Sequence, residues 1–313
     1  MTFEKAAREV WQIKSASFRN AKHTAQWLST LETYVFKTMG GKALADVTPK
    51  DCADALRPIW LIKPETASRT RQRMDAVFQW AWAHGHISAN PVRVVEHLLP
   101  QQAARVEHQP AMPWRSVPAF VTAHLRDIEP ADSTRAAVLF AMLTAGRSGE
   151  VRGARWDEFD LDAGIWTVPA DRMKAKLPHR VPLVGAALDL VRALKAAQRH
   201  ETLAFPSPRG LVLSDMTLTA FLRRVKAPSD TPGRCATLHG FRSSFRDWAS
   251  ENGYARDLAE RALAHTIANK VEAAYHRTDL LEQRCPLMEA WAEWVMTGTT
   301  APAGNVLPFA AAV

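Results

Sequence analysis

Apolar residues recur with the period of an amphipathic helix along most of this chain. The clearest stretch is SRTRQRMDAVFQWAWAHGHI, residues 68–87. There Met74, Val77, Phe78 and Ala81 fall at i, i+3, i+4 and i+7 and share one helical face. Pro64 and Pro91 bracket it, and His84-Gly85 supplies a breaker. The same period predicts helices over 3–14, 22–38 and 49–58, giving a compact four- or five-helix domain over residues 1–99. Residues 100–112, PQQAARVEHQPAM, lose the periodicity. They are polar and flanked by prolines, the texture of an interdomain linker.

Helical patterning resumes at 116–127 and 133–146. A β-rich region follows, with GIWTVPA (164–170) and HRVPL (179–183) as short strands joined by the basic connection DRMKAKLP. Beyond Gly185 helices are expected at about 186–200, 214–226, 240–251, 256–264, 269–282 and 286–296. The fold class is therefore mainly α. A helical domain precedes a mixed, mostly helical domain over 113–298 that carries a small antiparallel β-sheet. The tail 299–313 is low in charge and is expected to be flexible or to dock on a neighbouring subunit. No internal repeat is visible.

Composition sharpens this picture in three ways. Hydrophobic residues make up 47% of 313, enough for a sizeable buried core in two domains. Lys plus Arg number 40 against 32 Asp plus Glu, a net charge of +8, which favours a polyanionic partner with nucleic acid first among them. Cys52, Cys235 and Cys285 are scattered, with neither metal-ligand spacing nor a disulfide framework. The N-terminus is charged and amphipathic rather than signal-like, and no apolar run approaches membrane-spanning length. The simplest reading is a cytoplasmic, nucleoid-associated protein without a membrane partner.

Several short segments could carry chemistry. In LTAGRSGEVRGARWDEFD, Arg147 follows a small-residue turn and precedes Glu150 by three, so its planar fork could face a phosphate while Glu150 holds it. Locally, a surface Arg–Glu pair explains the same pattern. In TLHGFRSSFRDWAS, His239 and Arg242 share a helical face, where a capped helix with a solvated arginine is the plain alternative. In LAERALAHTIANKVEAAYHR, His265 ends one apolar helix, and Tyr275 stands beside His276 and Arg277 as one of only three tyrosines. A tyrosine among cations can act as a nucleophile whose phenolate its surroundings stabilise. In DRMKAKLPH, Lys174 and Lys176 sit in the hairpin connection. The acidic WDEFDLD run reads as a helix-to-strand connection, since a two-metal site needs carboxylates from elsewhere as well.

Each piece alone is unspecific. In order they read Arg147, Lys174, His239 with Arg242, His265 and Tyr275, and that ordered set resembles the tyrosine recombinases, or phage-type integrases, of prophages and genomic islands. The resemblance covers nearly the whole chain. FRNAKHTAQWLSTLETYVF is similar to the start of the family's core-type DNA-binding domain. RMKAKLPHRVPL, LHGFRSSFRDWASE and AAYHRTDLLEQR are similar to its catalytic segments. Two departures stand out. Integrases of this type commonly carry a further N-terminal domain for arm-type sites, whereas this chain opens almost directly on core-binding helices. That implies a chain without arm-site recognition, short by nature or truncated. Cys285 stands where the family often has an arginine, past the nucleophile, so the chemistry is expected to survive.

The resemblance implies that Tyr275 attacks a DNA phosphate to give a 3′-phosphotyrosyl link. Arg147 and Arg242 would clamp the non-bridging oxygens, Lys174 would protonate the departing 5′-oxygen, and His239 and His265 would assist around the phosphate. Glu150 would support Arg147 and His239. No metal, ATP or other cofactor is implied. The partners would be double-stranded DNA attachment sites, a homo-tetramer on synapsed DNA with a monomer as the free form, and DNA-bending accessory or excisionase proteins. Lys22, Arg69, Arg71 and Arg73 are the candidate DNA contacts of the N-terminal face. The rival functions are strand cleavage and religation like a type IB topoisomerase, and a non-catalytic DNA-binding regulator.

Overall fold

The structure is a computed structural model that describes residues 1–16, 21–102, 108–173, 175–265 and 278–299, with backbone only for 21–23. The chain divides into two compact units, Met1–Val106 and Glu107–Val313.

In the first unit, helix α1 (Phe3–Ser15) starts where the Thr2 hydroxyl accepts the Lys5 amide, and it buries Phe3, Ala6, Ala7 and Val10 on one stripe. Helix α2 (Ala21–Tyr34) is shorter than the expected 22–38, because a wide π turn over Phe36–Gly40 takes up the remainder. Helix α3 (Pro49–Trp60) opens on a capping box in which Thr48 and Asp51 satisfy each other's amides. It runs past Pro58, the expected stop. Helix α4 (Pro64–Ala83) inserts Met74, Val77, Phe78 and Ala81 into the core, with Phe78 against Phe3 at 5.1 Å. A 3-10 run, Pro91–Leu98, closes the unit; the sequence period did not announce it.

The cations expected on the DNA-facing side of this unit differ in exposure. Arg69 is exposed and pairs with Glu65 at 2.6 Å. Arg71 pairs with Glu96 at 2.6 Å. Arg73 corrects the expectation: it is buried, and its guanidinium donates to the Gln26 carbonyl at 2.8 Å, bracing α4 on α2. The Lys22 side chain lies outside the described residues.

The supposed linker is partly structured. Trp60 donates to the Pro100 carbonyl and Gln102 donates to the Trp60 carbonyl, which ties 100–102 into the first unit. Residues 110–112 belong to the second unit: Ala111 and Met112 are buried, and Ala111 exchanges bonds with Asp230 at 3.0 and 2.8 Å.

The second unit is built round helix α6 (Ser133–Thr144), which is buried at Ser133 and from Ala136 to Thr144. Around it lie α5 (Val117–His124), α7 (Ser148–Arg152), α8 (Ala186–Ala196), α9 (Thr217–Arg224), α10 (Gly240–Glu251), α11 (Arg256–Ala262) and α12 (Leu281–Thr297). Strands β1 (Phe159–Asp160), β2 (Ile165–Val168) and β3 (His179–Pro182) form an antiparallel sheet in the order β1-β2-β3, with Trp166 opposite Val181 and Val168 opposite His179. Trp166 and Val168 point inward, as strand alternation requires. Trp166, Trp248, Trp291, Phe140, Phe205, Phe241 and Phe245 fill the core. Two helices were expected over 269–282 and 286–296. The described part of that region is one helix, α12, which continues through Pro286; residues 269–277 lie outside the description. So does most of the expected tail, 300–313.

Candidate active site

Helix α6 ends on Ala145, whose φ of 49° is left-handed, and the chain turns through Gly146 into Arg147 at the start of α7. Space at Gly146 is tight: a Cβ would stand 3.0 Å from Val151 and 3.1 Å from the Thr144 hydroxyl. Glu150, buried at 6% exposure, receives the Arg147 amide (3.0 Å) on one oxygen and its guanidinium (2.8 Å) on the other. This is no surface pair. The other arm of the Arg147 fork donates to the carbonyls of Leu263 (3.1 Å) and Ala264 (2.9 Å) at the end of α11.

Arg242 comes from α10 and is only 4% exposed. It donates to the Ala145 carbonyl at 2.5 Å, to Leu263 at 2.6 Å and to His265 Nε2 at 3.2 Å. One carbonyl oxygen, that of Leu263, therefore receives both Arg147 and Arg242. Burial, and then the nearby Arg147, lower the Arg242 guanidinium to about 10, partly opposed by Glu150 and Glu260, so it is still a cation at neutral pH. His239 precedes α10 at an exposed position. Burial of its surroundings comes first, then Arg242, Arg147 and His265, in lowering its affinity for a proton, which leaves a neutral imidazole beside two cations.

Gly240 fixes where α10 begins. The Pro110 carbonyl passes so close that a Cβ at 240 would be 2.1 Å from its oxygen. That same oxygen accepts the Thr237 amide at 2.9 Å, and the Thr237 hydroxyl accepts the Gly240 amide at 3.0 Å. Ser244, one turn on, donates to the Met112 carbonyl. The segment 110–112 thus sets the depth of the helix that carries His239 and Arg242.

His265 follows a Schellman turn. The His265 amide bonds back to the Glu260 carbonyl and the Ala264 amide to that of Arg261, with Ala264 left-handed at φ 47°. Its ring lies between Glu260 Oε2, 2.6 Å from Nδ1, and Arg242 on Nε2.

The structure thus gathers Arg147, Glu150, His239, Arg242 and His265. Lys174 and Tyr275 lie outside the described residues. Four supporting groups were not singled out in the sequence. Arg172 reaches from the β2–β3 connection to the Glu158 carboxylate and to the carbonyls of Gly149 and Glu150, tying the connection to α7. Glu158 also accepts Trp166 at 2.9 Å, so part of the acidic 156–162 run is structural. Glu260 joins His265 to Arg246. Arg284 is fully buried in α12, 3.4 Å from Asp279, and its guanidinium makes no hydrogen bond among the described residues. Burial and then Arg284 push His179, on β3, down to about 4.

The chain is similar to known proteins along both units. The model of the phage integrase central domain matches residues 3–97, and that of the phage integrase family matches residues 121–281. The integrase of Enterobacteria phage P4 is 33% identical over 314 residues, covering 94% of this chain and 69% of that protein. Prophage integrase IntA of Escherichia coli (strain K12) is 30% identical over 297 residues, covering 94% and 70%. Among solved structures, a lambda integrase dimer bound to a COC' core site superimposes with TM-score 0.65 at 20% identity, covering 90% of this chain and 96% of that one. A lambda integrase tetramer bound to a Holliday junction gives 0.65 at 19%, covering 89% and 78%. At those identities the structures bear on the fold alone. With its second unit matched over residues 121–281 and a relative 33% identical along 94% of its length, the chain belongs to the phage integrase family and is a tyrosine-type site-specific DNA recombinase.

Proposed function

We propose that this recombinase uses Arg147 and Arg242 as the clamp for a scissile DNA phosphate, with Tyr275 as nucleophile and Lys174 as general acid. The observation that carries the reading is the meeting of two guanidinium groups, from α7 and α10, on the Leu263 carbonyl with His239 and His265 beside them. Two fixed cations set to receive non-bridging oxygens would stabilise the added charge of a pentacoordinate transition state. The phenol of Tyr275 has an ordinary pKa of about 10, so attack requires loss of its proton as the oxygen–phosphorus bond forms. A neutral His239 is suited to take that proton. The phosphorus–5′-oxygen bond then breaks, and Lys174 supplies the proton that the leaving oxygen needs. The phosphotyrosyl ester keeps the bond energy, and a 5′-hydroxyl from a partner duplex reverses each step.

Attachment-site DNA is the proposed substrate. The lambda integrase dimer on a core site and the tetramer on a Holliday junction support a multimeric complex, for which a homo-tetramer is the expected form. DNA-bending or excisionase partners belong to the same proposal, as does action in the cytoplasm on the nucleoid. The test is a suicide substrate nicked beside the scissile phosphate of the element's own attachment core. Covalent adducts that vanish in Tyr275→Phe and fall steeply in Arg242→Gln support the reading. Tight binding without any adduct favours a regulator, and plasmid relaxation without two-site exchange favours topoisomerase-like religation.

A further inference from the structure

We infer that Glu260 is a positioning residue that aims His265 at the phosphate site and supplies the negative charge against which this imidazole gains a proton when the phosphate arrives. The inference rests on the reading of Arg147 and Arg242 as the phosphate clamp.

The hydrogen-bond chemistry fixes the resting tautomer. An arginine has donors and no acceptor, so at the 3.2 Å contact the Arg242 nitrogen donates and His265 Nε2 accepts. The proton of the neutral ring is then on Nδ1 and is donated to Glu260 Oε2 at 2.6 Å. The other Glu260 oxygen receives Arg246 Nε at 2.7 Å. Burial pushes the Glu260 carboxyl up, but its bonds to Arg246 and His265 outweigh this and hold it below the ordinary range, so it is ionised at neutral pH. The Schellman turn makes the contact possible, because it sets the residue after the left-handed position over the first residue of the closing turn. Usually two apolar side chains meet there; here a histidine meets a glutamate.

In this resting state Nε2 presents a lone pair. A phosphate oxygen that draws the Arg242 fork onto itself leaves that lone pair facing an anion, which is repulsive. One proton from solvent on Nε2 turns the repulsion into a donated hydrogen bond and leaves an imidazolium. The groups around the ring oppose one another. Arg242 and Arg246 of α10, His239 just before it and Arg147 at α7 resist a further positive charge, while Glu260 of α11 and the phosphate favour it. Glu260 touches the far nitrogen directly, so the proton arrives together with the phosphate.

The experiment has two arms, both on the full chain. In the first, the single-turnover rate of adduct formation on the nicked attachment core is followed from about pH 5.5 to 9 for the parent and for Glu260→Gln, which can still accept from Nδ1. Loss of the neighbouring negative charge moves the alkaline limb of the Gln profile lower, so its deficit is on the order of tenfold near pH 8 and shrinks toward pH 6. On a His265→Asn background the same substitution has no further effect on the profile. A uniform loss at every pH, or an equal loss without His265, overturns the inference. In the second arm, chemistry is silenced with Tyr275→Phe, and proton uptake on binding the intact core is measured by calorimetry in two buffers of different ionisation heat. Uptake falls in the Gln variant; equal uptake in both proteins overturns the inference. If the parent gives no adduct that depends on Tyr275, the catalytic reading fails instead, and the second arm still judges the Glu260–His265 pair.

Discussion

A single methyl group at Gly240 would strike the contact that sets the position of α10. A Cβ there lies 2.1 Å from the Pro110 oxygen and 2.8 Å from both the Pro110 carbonyl carbon and Ala111 Cα, where ordinary contact begins at 3.4 Å. Backbone, not a flexible side-chain end, would have to withdraw by more than an ångström. That segment is tethered: Pro110 accepts from Thr237, Ala111 exchanges two bonds with Asp230, and Met112 accepts from Ser244. Overpacking of this kind costs about 1–3 kcal/mol, and each displaced hydrogen bond adds about 0.5–1.5 kcal/mol. Gly240→Ala is therefore expected to destabilise by about 3 kcal/mol or more, a fall of roughly 6–12 °C in melting temperature for a unit of this size. Because His239 and Arg242 ride on the displaced helix, adduct formation should fall at least about tenfold even well below the melting point, since a misplacement of about 1 Å can cost up to about 100-fold. Gly149→Ala is the melting control: a Cβ there meets nothing within 4 Å, and the position is in a helix. It should match or slightly exceed the parent, by up to about 1 kcal/mol. A Gly240→Ala protein that melts within about 2 °C of the parent and cleaves at the parent's rate refutes the argument.

Four further outcomes follow from individual side chains. His179 is held near 4 in the folded state against 6.5 for the free side chain, so the unfolded chain takes up its proton first. Its contribution is complete above pH 6.5 and is lost as pH falls toward 4; denaturation across that window should show a flatter acid limb in His179→Gln, and an unchanged limb rejects the assignment. Arg284→Met replaces a buried guanidinium that makes no hydrogen bond among the described residues by an apolar chain of similar length, and Asp279 keeps Arg180, so melting temperature should hold or rise, whereas a clear loss would reveal a compensation beyond Asp279. Arg69→Gln should lower the salt slope of DNA binding by about one phosphate contact, about 0.9 in log–log units. Arg73→Met should leave that slope alone and lower the stability of the first unit; a changed slope would return Arg73 to the DNA face.

Much of the second unit was legible because its period is strong and local. Phe241, Phe245 and Trp248 mark one face of GFRSSFRDWASE, and α10 spans the expected 240–251. The residues that could be expected in the site and are described, Arg147, Glu150, His239, Arg242 and His265, stand together. What stayed hidden depends on contacts between distant segments. Nothing local says that PAM at 110–112 crosses the start of α10, or that Arg172 reaches back to α7. Arg69 and Arg73 share a helical face by period alone, yet α2 lies across Arg73, and no period reveals that. Glu260 had one readable sign. ERALAH places a carboxylate and an imidazole at the two positions a Schellman turn brings together, but the turn ends on alanine rather than the glycine that usually announces it.

The distribution of counter-charge explains why the site should prefer an anion at one particular arginine. Arg147 is neutralised through Glu150 at 2.8 Å, and Arg246 through Glu260 at 2.7 Å. Arg242, the most buried of the three, lies against two carbonyl oxygens and an imidazole instead. A dipole offsets the desolvation of a cation less well than a charge does, and the lowered proton affinity of this guanidinium is the sign of that shortfall. The fold accepts an under-compensated cation because helices α6, α10 and α12 bury large aromatic side chains around it, including Phe140, Phe245, Trp248 and Trp291. A phosphate oxygen entering beside Arg242 would therefore gain more than one placed at Arg147 or Arg246, where a carboxylate must first be displaced or shared. Arg147 would then act as the second, weaker arm of the clamp, with Glu150 holding it in place and offsetting its charge.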